Sequence, residues 1–155
     1  MRLGKHYLYD WLPQAKDWTM CASIDGIGEI GEFIRTGLDW EQWDKNFREG
    51  VALPGGNDKM LMDLTLTGPG MFGIKDLFDY ALELDVKIET KRMFAFHDDI
   101  VMSPMAWPRH ILDRIIHENL DYIRPRATRK QETLIRELEN IINVPTFQEQ
   151  WPDTA

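Results

Sequence analysis

Residues 59–67 read KMLMDLTLT, and the fold follows from how this stretch alternates. On an extended chain Met60, Met62, Leu64 and Leu66 face one way, while Asp63, Thr65 and Thr67 face the other. That period of two predicts a strand. A second strand is expected over 19–25, TMCASID, with Met20, Ala22 and Ile24 opposed to Thr19, Cys21, Ser23 and Asp25. A third is expected over 86–94, VKIETKRMF.

Helical spacing fills the intervals. Residues 39–52 open on Asp39, a good N-cap, and repeat Trp40, Trp43, Phe47 and Val51. Residues 73–84 carry the stripe Ile74, Leu77, Phe78, Ala81 and Leu82. Residues 108–123 start on a proline and space Ile111, Ile115 and Leu120 along one side. Residues 128–143 have a capping start and stop before Pro145. An earlier helix is expected within 4–18, with Tyr7, Leu8, Trp11 and Ala15 on one side and Pro13 opposing its continuity.

Strands that alternate with helices predict an α/β fold with a parallel sheet. Two strands have a polar second face, whereas a parallel sheet covered on both sides is apolar on both. Two architectures fit: a partial (β/α) barrel of about three strands with a wet interior, or an open sheet with one wet face. The expected fold class is the partial barrel, with outer helices and C-terminal helices. It divides into a barrel region over 1–127 and a helix with an irregular tail over 128–155 packing on it.

The chain has 155 residues, 43% hydrophobic and 28% charged, which suits one soluble domain with a real core. No apolar run approaches the ~20 residues of a membrane span. The N-terminus lacks the pattern of a secretory signal, so a cytoplasmic location is expected. A net charge of −8 argues against nucleic acid as a partner. The basic run RPRATRK at 124–130 reads as a turn and helix start. The one cysteine, Cys21, precludes an internal disulfide and a self-contained thiolate cage for zinc or an iron–sulfur cluster.

Residues 23–37, SIDGIGEIGEFIRTG, follow the first strand with turn chemistry and many polar groups. Ser23 and Asp25 close that strand on its polar side, and Gly26 and Gly28 permit a sharp turn. Glu29, Glu32 and Arg35 lie three apart and would share one side of a helical turn. Arg35 could clamp a ligand carboxylate or form a surface pair with Glu32.

The longer run SIDGIGEIGEFIRTGLDWEQWDKNF, 23–47, resembles the fourth strand and following loop of radical S-adenosylmethionine enzymes, in particular the subset with a twitch-type C-terminal region. The resemblance rests on Ser23, Asp25 and Gly26, then Glu32, Phe33, Ile34, Arg35 and Gly37, then Trp40, Trp43, Asn46 and Phe47. The units at 59–84 and 86–94 are similar to the family's fifth and sixth strands. The defining Cys-x3-Cys-x2-Cys is absent, as are the first three β/α units, so the chain is expected to correspond to the C-terminal half of such a domain.

The resemblance implies S-adenosylmethionine as cofactor, with Ser23, Asp25 and Arg35 contacting its ribose and carboxylate and Thr65 and Thr67 lining the same lumen. It implies that a [4Fe–4S] cluster is not bound by this chain alone. Radical catalysis would require a partner chain carrying the cluster-binding half, and the chain alone is expected to be inactive. The alternative is a non-catalytic half-barrel that self-associates as a homo-oligomeric scaffold or binding subunit, since a three-stranded sheet exposes strand edges.

Other groupings suggest less. His97, Asp98 and Asp99 are consecutive and cannot converge on one metal from an extended chain. His110, Arg114 and His117 share a helix side and read as surface. GPGMFG, 68–73, is a glycine-rich turn without a phosphate-loop lysine. No catalytic residue and no metal ligand is assigned.

Overall fold

A computed structural model describes residues 2–3, 6–92 and 101–152. Three parallel strands run in chain order: β3 (Met20–Ile24), β4 (Met60–Leu66) and β5 (Lys87–Arg92). Ser23 pairs with Asp63, Asp63 with Glu89 and Thr65 with Lys91. Each observed strand lies inside its expected range, except that 93–94 fall outside the described residues. Before the sheet come a two-residue hairpin, β1 (Arg2–Leu3) with β2 (His6–Tyr7), and α1 (Leu8–Trp11).

β4 is central and its alternation is realised almost completely. Met60, Met62, Leu64 and Leu66 are each at most 1% exposed, and Ile24 and Ile88 flank them at 0%. Hydrophobic burial of such side chains is worth roughly 2 kcal/mol each and sets the register, because a one-residue slip would turn all of them outward.

The helices that cover this face are α3 (Trp40–Val51), α5 (Ile74–Glu83), α6 (Arg109–Ile123) and α7 (Glu132–Ile142). Asp39 caps α3 by accepting from the Gln42 N–H at 2.9 Å. α5 buries Ile74, Leu77, Phe78 and Ala81, as its stripe predicts. α6 buries Leu112 and Ile116 beside Ile115 and Leu120, so its core stripe is rotated from the expected one and Ile111 is only partly covered. Before α7, Thr128 and Gln131 form a capping box, as the sequence suggests.

The helix expected within part of 4–18 is present but short, and it does not continue through Pro13. α1 has four residues and a short 3-10 turn over 12–14 carries Pro13 near its start, where the missing N–H costs nothing. Two short helices not foreseen are α2 (Gly28–Ile34) and α4 (Gly56–Lys59). The tail after α7 forms α8 (Phe147–Gln150), and Phe147 packs on the core. Arg109 ties the tail down, bonding Glu149 at 2.8 Å and the Val144 and Ile142 carbonyls at 2.5 and 3.3 Å. Its guanidinium holds the Glu149 carboxyl down at about 2.

The opposite sheet face carries Cys21 and Ser23, both exposed, with Asp63, Thr65, Lys87, Glu89 and Lys91. The sheet edges differ. Beyond β5, α7 and the turn before it supply donors to carbonyls of the strand and of the residue before it: Gln131 Nε2 reaches Val86 O at 3.1 Å and Thr133 Oγ1 reaches Ile88 O. Beyond β3, no strand pairs among the described residues. The molecule is thus an α/β protein with an open three-stranded parallel sheet. No helix among the described residues is long and apolar enough to cross a membrane.

Candidate functional site

In sheets of this kind ligands sit beyond the carboxyl ends of the strands. Here β3 ends at Ile24 and β4 at Leu66, and Asp25 and Thr67 open the loops that follow. Gly28, at φ 55, turns the chain from β3 into α2. α2 ends at Ile34, and Arg35 is extended, with φ −117 and ψ 99. Its side chain therefore leaves the helix direction and returns to Asp25. Nε and Nη2 both meet Asp25 Oδ2, at 3.0 and 2.7 Å.

Arg35 thus does not form the surface pair with Glu32 that its spacing suggests. Glu32 accepts from the Trp40 N–H at 2.9 Å, at the start of α3. The guanidinium engages one oxygen of Asp25, and Oδ1 accepts no hydrogen bond among the described residues. Asp25 is mostly covered and Arg35 is 42% exposed, so the pair joins a held acceptor to a partly accessible donor.

Ser23 and Thr65 lie on the open sheet face. Ser23 Oγ is 3.4 Å from Asp63 Oδ2, and Lys91 Nζ is 2.7 Å from the same oxygen. Thr65 is half-buried beside Lys91 in register. Asp63, already on the polar face by alternation, is thus joined there by Lys91, which alternation along β5 could have found. Thr67 departs from the other four. It is 3% exposed, and its hydroxyl accepts the Gly70 N–H at 3.0 Å, so it braces the turn over 69–73.

The turns are tightly interlocked. A Cβ on Gly70 would lie 2.7 Å from both Asp25 O and Thr67 Oγ1, and one on Gly68 would lie 2.5 Å from Trp107 Nε1. The Gly68 N–H bonds Met102 O at 2.6 Å. GPGMFG is therefore a close-packed 3-10 turn.

The remaining groups behave as local structure. His97, Asp98 and Asp99 lie outside the described residues. His110 and His117 are exposed, and His117 Nδ1 contacts the Asp113 carbonyl at 2.6 Å. The basic run is largely answered in place: Arg124 pairs with Glu139, Lys130 with Asp58 and Asp85, and Arg126 lies 4.2 Å from the Tyr122 ring centre. Trp40, Trp43 and Phe47 stack in sequence along α3 against Tyr80, as core packing. Burial and the Asp44 carboxylate raise the Tyr80 phenol well above its ordinary value.

An iron–sulfur cluster does not fit the residues present. Cys21 is the one thiol of the chain, and no group of three His, Cys, Asp or Glu side chains among the described residues is placed to hold a metal ion. No protein-family model, curated protein or solved structure matches the chain.

Proposed function

We propose that the chain is a nucleoside-ligand-binding half of a radical S-adenosylmethionine-type domain, an open partial (β/α) barrel whose polar sheet face belongs to a shared lumen. The observation that carries this reading is the Asp25–Arg35 pair just past the end of β3, in a sheet whose open face carries Ser23, Thr65, Asp63 and Lys91. S-adenosylmethionine offers ribose hydroxyls, which donate, and a carboxylate, which accepts. Asp25 Oδ1 suits the first and Arg35 the second. Thr67, committed to its turn, contributes through the loop and not through its hydroxyl. Cluster chemistry would come from a separate chain, and this one is inactive alone.

Equilibrium dialysis of the full chain against labelled S-adenosylmethionine tests the reading. Arg35→Ala is expected to weaken binding by about tenfold, the order of one charge-assisted hydrogen bond. Stability should fall by less than about 1 kcal/mol, because the pair is part-exposed. Equal binding by both proteins, or none by either, would remove the proposal.

A second reading is a non-catalytic self-associating subunit, favoured by β3, beyond which no strand pairs among the described residues. Its five residues, Met20–Ile24, carry no charge and no proline, the usual protections of a free edge. This reading expects a dimer in sedimentation equilibrium. Cys21→Lys with Ser23→Lys should return it to monomer, because like charges would then oppose each other across the joined strands. A monomeric wild-type protein excludes it.

A further inference from the structure

Between the turn over 69–73, just past the end of β4, and α6 lies a cleft of about 170 Å³ that the reading above does not use. Its floor is apolar: Met71 and Ile115 are 2% and 6% exposed. Phe72 stands at the wall with 58% of its surface open, its ring centre 5.2 Å from that of Trp107. An exposed phenylalanine at a cleft mouth leaves apolar area that a ligand could cover.

The polar lining has both signs. Lys75 and Arg114 are cationic and Glu118 is anionic, and none of them forms an ion pair among the described residues. Arg114 and Glu118 are one helical turn apart, in the order less favourable for pairing. Lys75 Nζ instead lies 5.6 Å from the Tyr122 ring centre. The fourth polar group is Asn119. It is 3% exposed, and its amide N–H donates to Met71 O at 3.0 Å. Its Oδ1 accepts no hydrogen bond among the described residues, so the amide of a largely buried side chain holds an acceptor in the lining of the cleft.

We propose that this cleft binds a small zwitterion with an apolar side chain, a free α-amino acid. The carboxylate goes to Arg114 and Lys75, the ammonium to Glu118 and Asn119 Oδ1, and the side chain lies on Met71, Ile115 and Phe72. Neither charge alone satisfies the lining. An anion would leave Glu118 and the Asn119 acceptor unmatched, and a cation would leave two basic groups unmatched. The site is separate from the Asp25–Arg35 pair and stands whether or not S-adenosylmethionine binds there.

The test is a titration by calorimetry, with saturation-transfer NMR, of the full chain against L-phenylalanine, N-acetyl-L-phenylalanine and L-phenylalanine amide. The free amino acid should bind best, and each blocked form about tenfold less tightly, the order of one lost charged contact. Arg114→Ala should weaken the free acid and the N-acetyl form while sparing the amide. Glu118→Gln should weaken the free acid and the amide while sparing the N-acetyl form. Both positions are exposed, so circular dichroism should be unchanged. Glycine, with no side chain for Phe72 to cover, should bind more weakly than phenylalanine. Equal affinity for the three phenylalanine compounds, insensitivity to both substitutions, or no binding of phenylalanine would overturn the proposal.

Discussion

Gly31→Ala is expected to lower the unfolding free energy by about 3 kcal/mol, at the upper end of what overpacking costs. A Cβ at Gly31 would sit 2.2 Å from the Gly26 carbonyl oxygen, 2.8 Å from its carbon and 3.1 Å from Leu38 Cδ2. The first two neighbours are backbone, so no rotamer change relieves them. The turn after β3 or the axis of α2 must move, and with it the contact between α2 and the turn over 69–73, where Ile30 lies 3.0 Å from a Cβ built on Gly73. Gly37→Ala is the comparison. Its φ of 83 strains an L residue, but nothing lies within 4 Å of the added carbon, so about 1 kcal/mol is expected. Urea unfolding followed by circular dichroism separates the two. If Gly31→Ala cost no more than Gly37→Ala, the close approach of α2 to the β3 turn would be wrong. The glycines of 23–37 would then have no packing role to explain them.

That stretch also shows what can be read from a linear chain and what cannot. Alternation on 59–67 and the stripe of 73–84 are local properties, and both match the structure because burial on one face is their whole content. α2 is seven residues with two glycines, and Ile30, Phe33 and Ile34 give it barely one turn of apolar spacing, so its existence depends on what packs on it. The partner of Arg35 was equally hidden. Spacing of three pointed to Glu32, but this holds only if the helix includes Arg35, and it stops one residue earlier. Asp25 and Arg35 were each visible as candidates, while their pairing depends on the extended backbone between helix and loop. Parity puts Thr67 on the open face, yet it lies one residue past the end of β4, where the chain has already begun to turn and alternation no longer applies. The covering of β5 was not legible, because Gln131 and Thr133 look like solvent-facing residues of an amphipathic helix.

Gln131→Ala should cost about 3 kcal/mol, and it tests how the fold deals with its edges. Gln131 is 1% exposed, and its amide is used at both ends. Nε2 donates to Val86 O at 3.1 Å, and Oε1 accepts from Thr128 N at 3.1 Å and Thr128 Oγ1 at 2.9 Å. Alanine leaves a buried carbonyl and a backbone N–H without partners, each worth roughly 1–3 kcal/mol, and removes half of a capping box. Gln131→Glu separates the two ends. It keeps the acceptor but loses the donor and brings a charge next to the Val86 carbonyl, so it should be at least as damaging as alanine near neutral pH. Protonated, the same glutamic acid can donate again, so its deficit should shrink as pH falls through the carboxyl's raised folded pKa. Alanine has no such recovery. Hydrogen exchange adds a local reading: the amides of β5 and the first turn of α7 should lose protection before those of β4, which has strands on both sides. Uniform loss across the sheet would mean that Gln131 supports the core in general. Selective loss at β5 would mean that α7 takes the place of a fourth strand on this side, leaving β3 as the edge through which the sheet can grow.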